Sequence, residues 1–173
     1  LRHLNLSGEP LFDAGGVFTG YWGVGRDVTT QVRAQQAVVA SEHRYRALFA
    51  RSPSALVLHR RGRVIDANPA AAAMFGHAAW TDMLGQELLD FYDFGEAHDR
   101  ARERIASLEL MPVGQASPPA EFNITSRNGE RLLVSVTSVR VDAEGGPASL
   151  TIYQDETERK AAEDAVLRSE ALL

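Results

Sequence analysis

The chain contains no cysteine. That absence removes a disulfide framework, a thiolate nucleophile, a cysteine-based zinc site and any thiol able to form a covalent adduct with a flavin. Positive charge is scarce as well: 18 Lys and Arg against 23 Asp and Glu give a net charge of -5. Such a chain has no electrostatic footprint for a phosphate backbone, so nucleic acid is not an expected partner. Long apolar runs are missing. The longest, Pro69 to Phe75, is mostly alanine and far too short to span a bilayer, and the N-terminus lacks the organisation of a signal peptide. This piece is therefore expected to be soluble, to make no membrane contact and to reside in the cytoplasm, which leaves room for an anchor elsewhere in its parent protein.

Catalytic signatures are also wanting, and no catalytic residue is expected. There is no nucleophile elbow, and the carboxylates Asp90, Asp93, Glu96 and Asp99 read as charges at helix starts. Gly20-Tyr21-Trp22-Gly23-Val24-Gly25 imitates a nucleotide loop but lies in a strand and lacks a lysine. No pair of histidines has the spacing of a metal site, so no metal is expected. What is present is ordinary: 45% apolar and 24% charged residues in a chain of 173, enough for one core with flanking pieces. Because Leu1 already falls in a strand-like run, the chain reads as part of a longer polypeptide.

An internal repeat organises it. Asp13-Ala14-Gly15-Gly16 and Asp142-Ala143-Glu144-Gly145-Gly146 are both Asp/Gly turns between strand-like runs. The second strands lead into Asp27-Val28-Thr29 and Asp155-Glu156-Thr157, and each is followed by a helical pattern. Asp155 follows Asp27 by 128 residues and Ser169 follows Ser41 by the same 128. Asp27, Asp155 and Thr157 are expected to cap the helices they precede, since side-chain oxygens there accept the free N–H groups of a first turn.

The first connector helix is expected to end at Ser52-Pro53. Its heptad positions Val28, Val32, Gln35, Val39, Glu42, Arg46 and Phe49 form an apolar seam broken by polar residues. That pattern fits either a dimer seam or a helix packed on its own domain. Two short strands, Ala55 to His59 and Arg63 to Asp66, come next. Asn68 caps a compact helix that begins with Pro69 and leaves at Gly76. A longer helix, Gly95 to Leu108, precedes three strands joined by turns at Asn128-Gly129 and Glu144-Gly145-Gly146. Two strands, several helices and three antiparallel strands make an α+β domain with its helices on one side of the sheet.

At this point the sequence resembles the PAS domain family. The carriers are Val64-Ile65-Asp66-Ala67-Asn68-Pro69-Ala70 with Gly76, the Asn128-Gly129-Glu130 hairpin, and Asp155-x-Thr157 followed by Glu158-Arg159-Lys160. The run Ser41 to Phe49 is also typical of the approach to a PAS domain in a tandem. The resemblance implies a PAS fold, a five-stranded antiparallel sheet with short helices on one side, flanked by connector helices. Residues 1–27 would be the C-terminal hairpin of a preceding PAS domain, 28–52 a connector helix, 53–155 the complete domain, and 156–173 the start of the next connector.

The resemblance also implies a sensory module of a bacterial-type two-component or other multidomain signalling protein. Such a module is expected to be a homodimer through its connectors, linked to an effector outside this chain, and to bind an unidentified small molecule or a partner. A spacer with a filled core is the alternative. Candidate pocket residues are Met74, Phe75, Leu88, Phe91 and Ile105, with Phe122, Ile124, Val134, Val136, Leu150 and Ile152 expected to face inward by strand alternation. Each also reads as core filling. His98 resembles the axial position of haem-binding members, whereas Asp99-Arg100 match the exposed helix start of members without haem. No cofactor is required by the sequence, and His59 and His77 read as structural or surface residues.

Overall fold

The structure, a computed structural model, describes residues 1–170, so the last three residues of the expected exit connector lie outside the described residues. Two compact units divide it, Leu1–Ala47 and the chain from Leu48 onward.

In the first unit β1 (Leu4–Phe12) and β2 (Phe18–Asp27) form an antiparallel hairpin. Its turn closes on Asp13, whose Oδ1 accepts from the N–H groups of Gly15 and Val17, each at 2.9 Å. β1 is exposed along its length and β2 nearly so, with Leu6 and Phe12 of the first and Phe18, Tyr21 and Trp22 of the second open to solvent. α1 (Thr29–Arg51) follows, and Phe49 is its one buried residue.

The second unit is built on a five-stranded antiparallel sheet of order β4-β3-β7-β6-β5. Its strands are β3 (Ala55–Arg60), β4 (Arg63–Ala67), β5 (Ala120–Thr125), β6 (Arg131–Ala143) and β7 (Gly146–Asp155). Between β4 and β5 lie α2 (Pro69–Phe75), two single 3₁₀ turns at Trp80–Met83 and Leu88–Phe91, and α3 (Glu96–Leu108); α4 (Thr157–Glu170) leaves after β7. Local chemistry accounts for the connections. Arg61 and Gly62 both have positive φ, 51° and 86°, which gives the two-residue β3–β4 turn the twist its strands need. Gly76 closes α2 at φ 75°, and a Cβ there would come within 2.2 Å of Asn128 Oδ1 in the β5–β6 turn.

Asn68 holds the entry side together. Its Oδ1 accepts from Ala71 N–H, as expected of a cap, and also from Leu56 N–H, each at 2.9 Å. Its Nδ2 donates to the carbonyls of Phe49 at 3.1 Å and Ser54 at 2.9 Å. One fully buried amide thus joins the last turn of α1, the turn after it, β3 and α2.

The core lies between the inner face of the sheet and the helices. Phe122, Ile124, Val134 and Val136 face inward as the alternation of β5 and β6 requires. Leu150 and Ile152 do not, which corrects their expected placement. Val136 pairs with Tyr153, and residues paired across an antiparallel ladder share a face, so Ser149, Thr151 and Tyr153 are the inward, buried set of β7. Leu150 and Ile152 join Leu56, Leu58 and Val139 on the opposite, half-buried face. The outward face of β7, with Ala148, Leu150 and Ile152, is the more apolar of the two, so hydropathy points to the wrong side.

Candidate functional site

The nine remaining pocket candidates come together. Phe75, Leu88, Phe91, Phe122, Ile124, Val134 and Val136 are buried in one cluster, with Met74 and Ile105 packed on it. Phe75 stacks on Phe91 with centroids 4.7 Å apart and meets Tyr153 edge-on at 5.1 Å. Tyr92 meets Phe122 edge-on, also at 5.1 Å. These contacts make an aromatic half of the interior.

Two tyrosines that the sequence reading passed over bring polarity into it. The hydroxyls of Tyr92 and Tyr153 are 2.9 Å apart and fully enclosed. Burial pushes the Tyr92 phenol up to about 12 and Tyr153 well above its ordinary value, so both stay protonated. Each follows a residue already picked as a pocket candidate, Phe91 and Ile152. Shifting the β7 alternation by one position is what finds Tyr153.

The other half of the interior is polar. His59, read from sequence as structural or superficial, is wholly buried on β3. Gly62 N–H donates to its Nδ1 at 3.3 Å, which leaves the proton of the neutral ring on Nε2 facing Thr151 Oγ1 at 3.0 Å. Thr151 and Ser138 continue the chain through a hydroxyl contact of 2.9 Å. Beside them Arg140 makes a two-pronged ion pair with Glu109, 2.8 and 3.1 Å, and reaches Ser149 Oγ at 3.2 Å. Burial works against the Glu109 charge, but its bonds to Arg140 and the nearby Arg61 outweigh that and hold the carboxyl below its usual range. Burial lowers His59 to about 4; the Glu109 charge opposes the fall and Arg140 adds to it.

His98 lies elsewhere. Its half-buried ring stacks on the exposed Phe94 at 5.5 Å and its Nδ1 faces Arg102 Nη2 at 3.3 Å, outside the aromatic cluster. His77 is buried against Phe91, and its Nε2 has no hydrogen-bond partner among the described residues. No group of three or more His, Cys, Asp or Glu side chains is gathered among the described residues as metal donors. None of the described helices is long and apolar enough to cross a membrane.

At the exit junction Asp155 meets the helix start as expected, and Thr157 does not. Asp155 Oδ1 accepts from Thr157 N–H at 2.9 Å, only two residues on, closing a tight turn before α4. Thr157 does not cap its own helix: its Oγ1 accepts from Leu133 N–H of β6 at 3.0 Å, beside a Glu156 N–H to Leu133 carbonyl bond of 2.8 Å. The same pattern stands at the start of α1. Asp27 Oδ1 accepts from Thr29 N–H at 2.9 Å, Thr29 Oγ1 accepts from His3 N–H at 2.8 Å, and Val28 N–H donates to the His3 carbonyl at 2.9 Å.

A family model described as PAS domain matches residues 43–112. Among solved structures, the chain is similar to the PAS domain of an HTR-like protein from Haloarcula marismortui, at TM-score 0.58 and 21% identity over 71% of this chain and 98% of that one. A PAS domain from Colwellia psychrerythraea gives 0.56 and 19% over 67% and 97%. A domain of a sensory box sensor histidine kinase/response regulator from Geobacter sulfurreducens gives 0.53 and 20% over 66% and 95%. At these identities the likeness is one of fold. No curated protein matches the chain.

The burial of His59 makes stability depend on pH. Unfolded, its ring titrates near 6.5; folded, near about 4. As pH falls the unfolded state takes the proton first, so the stability held by the neutral ring is complete above pH 6.5 and declines towards about pH 4. The decline due to His59 is about 3 kcal/mol. His77, lowered by burial and by Arg127, adds a change of the same sign. Urea unfolding across this range should show the decline in the parent chain and lose most of it in His59→Gln; an unchanged slope in the variant contradicts the assignment.

Proposed function

We propose that the chain carries a PAS domain, a reading supported by the family match over residues 43–112 and the similar folds, and that this domain is a sensor module of a cytoplasmic, multidomain signalling protein of two-component type, relaying an input to an effector outside this chain. The observation that carries the reading is the junction at Asp155-Glu156-Thr157. Through Thr157 and Glu156 the first turn of α4 is fastened to Leu133. The next residue of that strand, Val134, is in the core. A change of packing in the interior therefore has a short covalent and hydrogen-bonded route to the exit helix. The repetition of the same bonds at Asp27, Thr29 and His3 supports reading residues 1–27 as the last two strands of a preceding domain of the same kind.

Association through α1 belongs to the proposal. Val39 of the heptad seam is exposed on this 23-residue helix, with the exposed Val38 beside it. A helix without a covered apolar face is marginal in water, and a second copy would cover this one. Glu42 and Arg46, which interrupt the seam, pair with each other within the helix at 3.1 Å. The seam is weak enough to shift between arrangements, and a ligand that binds one arrangement better than the other would move the balance. The reading assigns no catalytic role to the module. A second reading, a ligand-free dimerisation spacer, is favoured by the close stacking of Phe75 on Phe91 and against Tyr153.

Thr157→Val removes the acceptor of Leu133 N–H while leaving shape and helix intact. Amide exchange in the first turn of α4 should speed about fivefold to tenfold, the effect of about 1 kcal/mol, with the strands unaffected. Equal protection in parent and variant would sink the relay. Native mass spectrometry separates the remaining readings in one measurement: a dimer carrying a small molecule is expected. A dimer at the apoprotein mass supports the spacer, and a monomer at that mass removes both dimer and ligand.

A further inference from the structure

Arg104 of α3 is not placed as a surface arginine. Its Nη2 donates to Ser117 Oγ and the Pro118 carbonyl, each at 2.6 Å, and to the Val136 carbonyl at 2.9 Å, which pins the guanidinium across the space between α3 and the sheet. Its Nε is buried and has no hydrogen-bond partner among the described residues. The guanidinium charge acts on both phenols of the Tyr92–Tyr153 pair. In that pair one O–H donates to the other oxygen, and the second O–H remains available for another acceptor. An aromatic interior thus holds two spare donors and one cation. Buried donors of this kind are normally satisfied by protein, ordered water or ligand, because leaving them unpaired is costly.

A path from solvent reaches the same residue. Arg100, Glu103, Arg104, Ser107, Ala120 and Phe122 line a groove of about 370 Å³ between α3 and β5. Arg100 stands over the Phe122 ring at 4.8 Å, and Phe122 in turn touches Tyr92 edge-on. The lining has two guanidinium groups against the single carboxylate of Glu103.

We propose that this groove is the mouth of a binding site for a small organic carboxylate, whose oxygens take the Arg104 Nε–H and the free tyrosine O–H while its apolar body lies against Phe122. The proposal rests on the ligand-binding reading above and gives it a chemical class. Donors without acceptors select an acceptor, and the excess of guanidinium selects an anion, of which a carboxylate is the small organic form. The aromatic lining favours a body such as a phenyl ring or a short alkyl chain.

The test is nuclear magnetic resonance of the whole chain, following the Arg104 Nε–H signal, with benzoate and hexanoate as probes and benzamide and benzyl alcohol as neutral counterparts. Benzoate or hexanoate should shift that signal saturably and bind at least about tenfold more tightly than the neutral probes, as charge-assisted hydrogen bonds require. Replacing Tyr92 and Tyr153 together, Tyr92→Phe with Tyr153→Phe, keeps both rings, removes the hydroxyl donor whichever tyrosine supplies it, and should weaken carboxylate binding about tenfold. Arg104→Lys keeps the charge but lacks the Nε donor and should abolish the preference for carboxylate over amide. Unfolding curves identify any variant that fails to fold, and the double tyrosine variant and Arg104→Lys then stand as independent arms. Carboxylates that bind both folded variants as tightly as the parent overturn the assignment. Neutral probes that bind while carboxylates do not overturn it too, yet leave the ligand-binding reading intact. Silence from every probe overturns it as well, and the native mass then decides whether any ligand is bound.

Discussion

The buried amide of Asn68 is the constraint on which the rest of the domain hangs. It is short, uncharged and saturated: two N–H groups donate to its Oδ1, and its Nδ2 reaches carbonyls of the last turn of α1 and of the turn that follows. No apolar side chain of that size satisfies these backbone groups, and each one left bare in the interior costs about 1–3 kcal/mol. Asn68 therefore fixes together where the entering helix ends, where β3 begins and how α2 leaves the sheet. Gly76, seven residues of helix later, places Asn128 and the β5–β6 turn against the far end of α2.

From that knot the structure reads as a sheet fastened to a helix at both ends. Entry is held by an amide, exit by a hydroxyl, Thr157 on Leu133. Between them lie β3, β7 and β6, adjacent in the sheet and carrying Val57, Tyr153 and Val136 inward. The interior they enclose is divided by chemistry. An aromatic half is centred on Phe75, Phe91 and the two tyrosines, and a polar half on His59, Thr151 and Ser138. Among the described residues Arg140 is its buried charge, paired with the half-buried Glu109, while Arg104 is half-buried. The polar half is hydrogen-bonded nearly throughout, which gives the domain a specific arrangement where a purely apolar core would tolerate several.

Much of this was legible in the residue order, and the reason is locality. The Asp/Gly turns, the Asn68-Pro69 start and Gly76 exit of α2, and the recurrence of Asp-x-Thr at 27 and 155 are decided by two to four neighbouring residues, which is the range over which turn and cap chemistry acts. Where the partner lay far away, reading failed. His59 meets Thr151 across 92 positions and Tyr92 meets Tyr153 across 61, and neither pairing has a local sign. The reversal of Leu150 and Ile152 has a different origin: the outer face of the sheet is itself apolar, so period two was plain while its phase was not. Thr157 resembled a helix cap because its hydroxyl stands at a helix start, yet it serves the neighbouring strand.

The central claim is that core packing is felt by the exit helix through β6 and Thr157. A double-mutant cycle tests it most directly, with Tyr153→Phe altering the core, Thr157→Val cutting the hydroxyl link, and amide exchange in residues 157–160 as the readout. The account predicts non-additivity: the core change alters protection of that turn in the parent background and loses most of its effect once Thr157 is replaced. Effects that add, with Tyr153→Phe acting equally in both backgrounds, would contradict it.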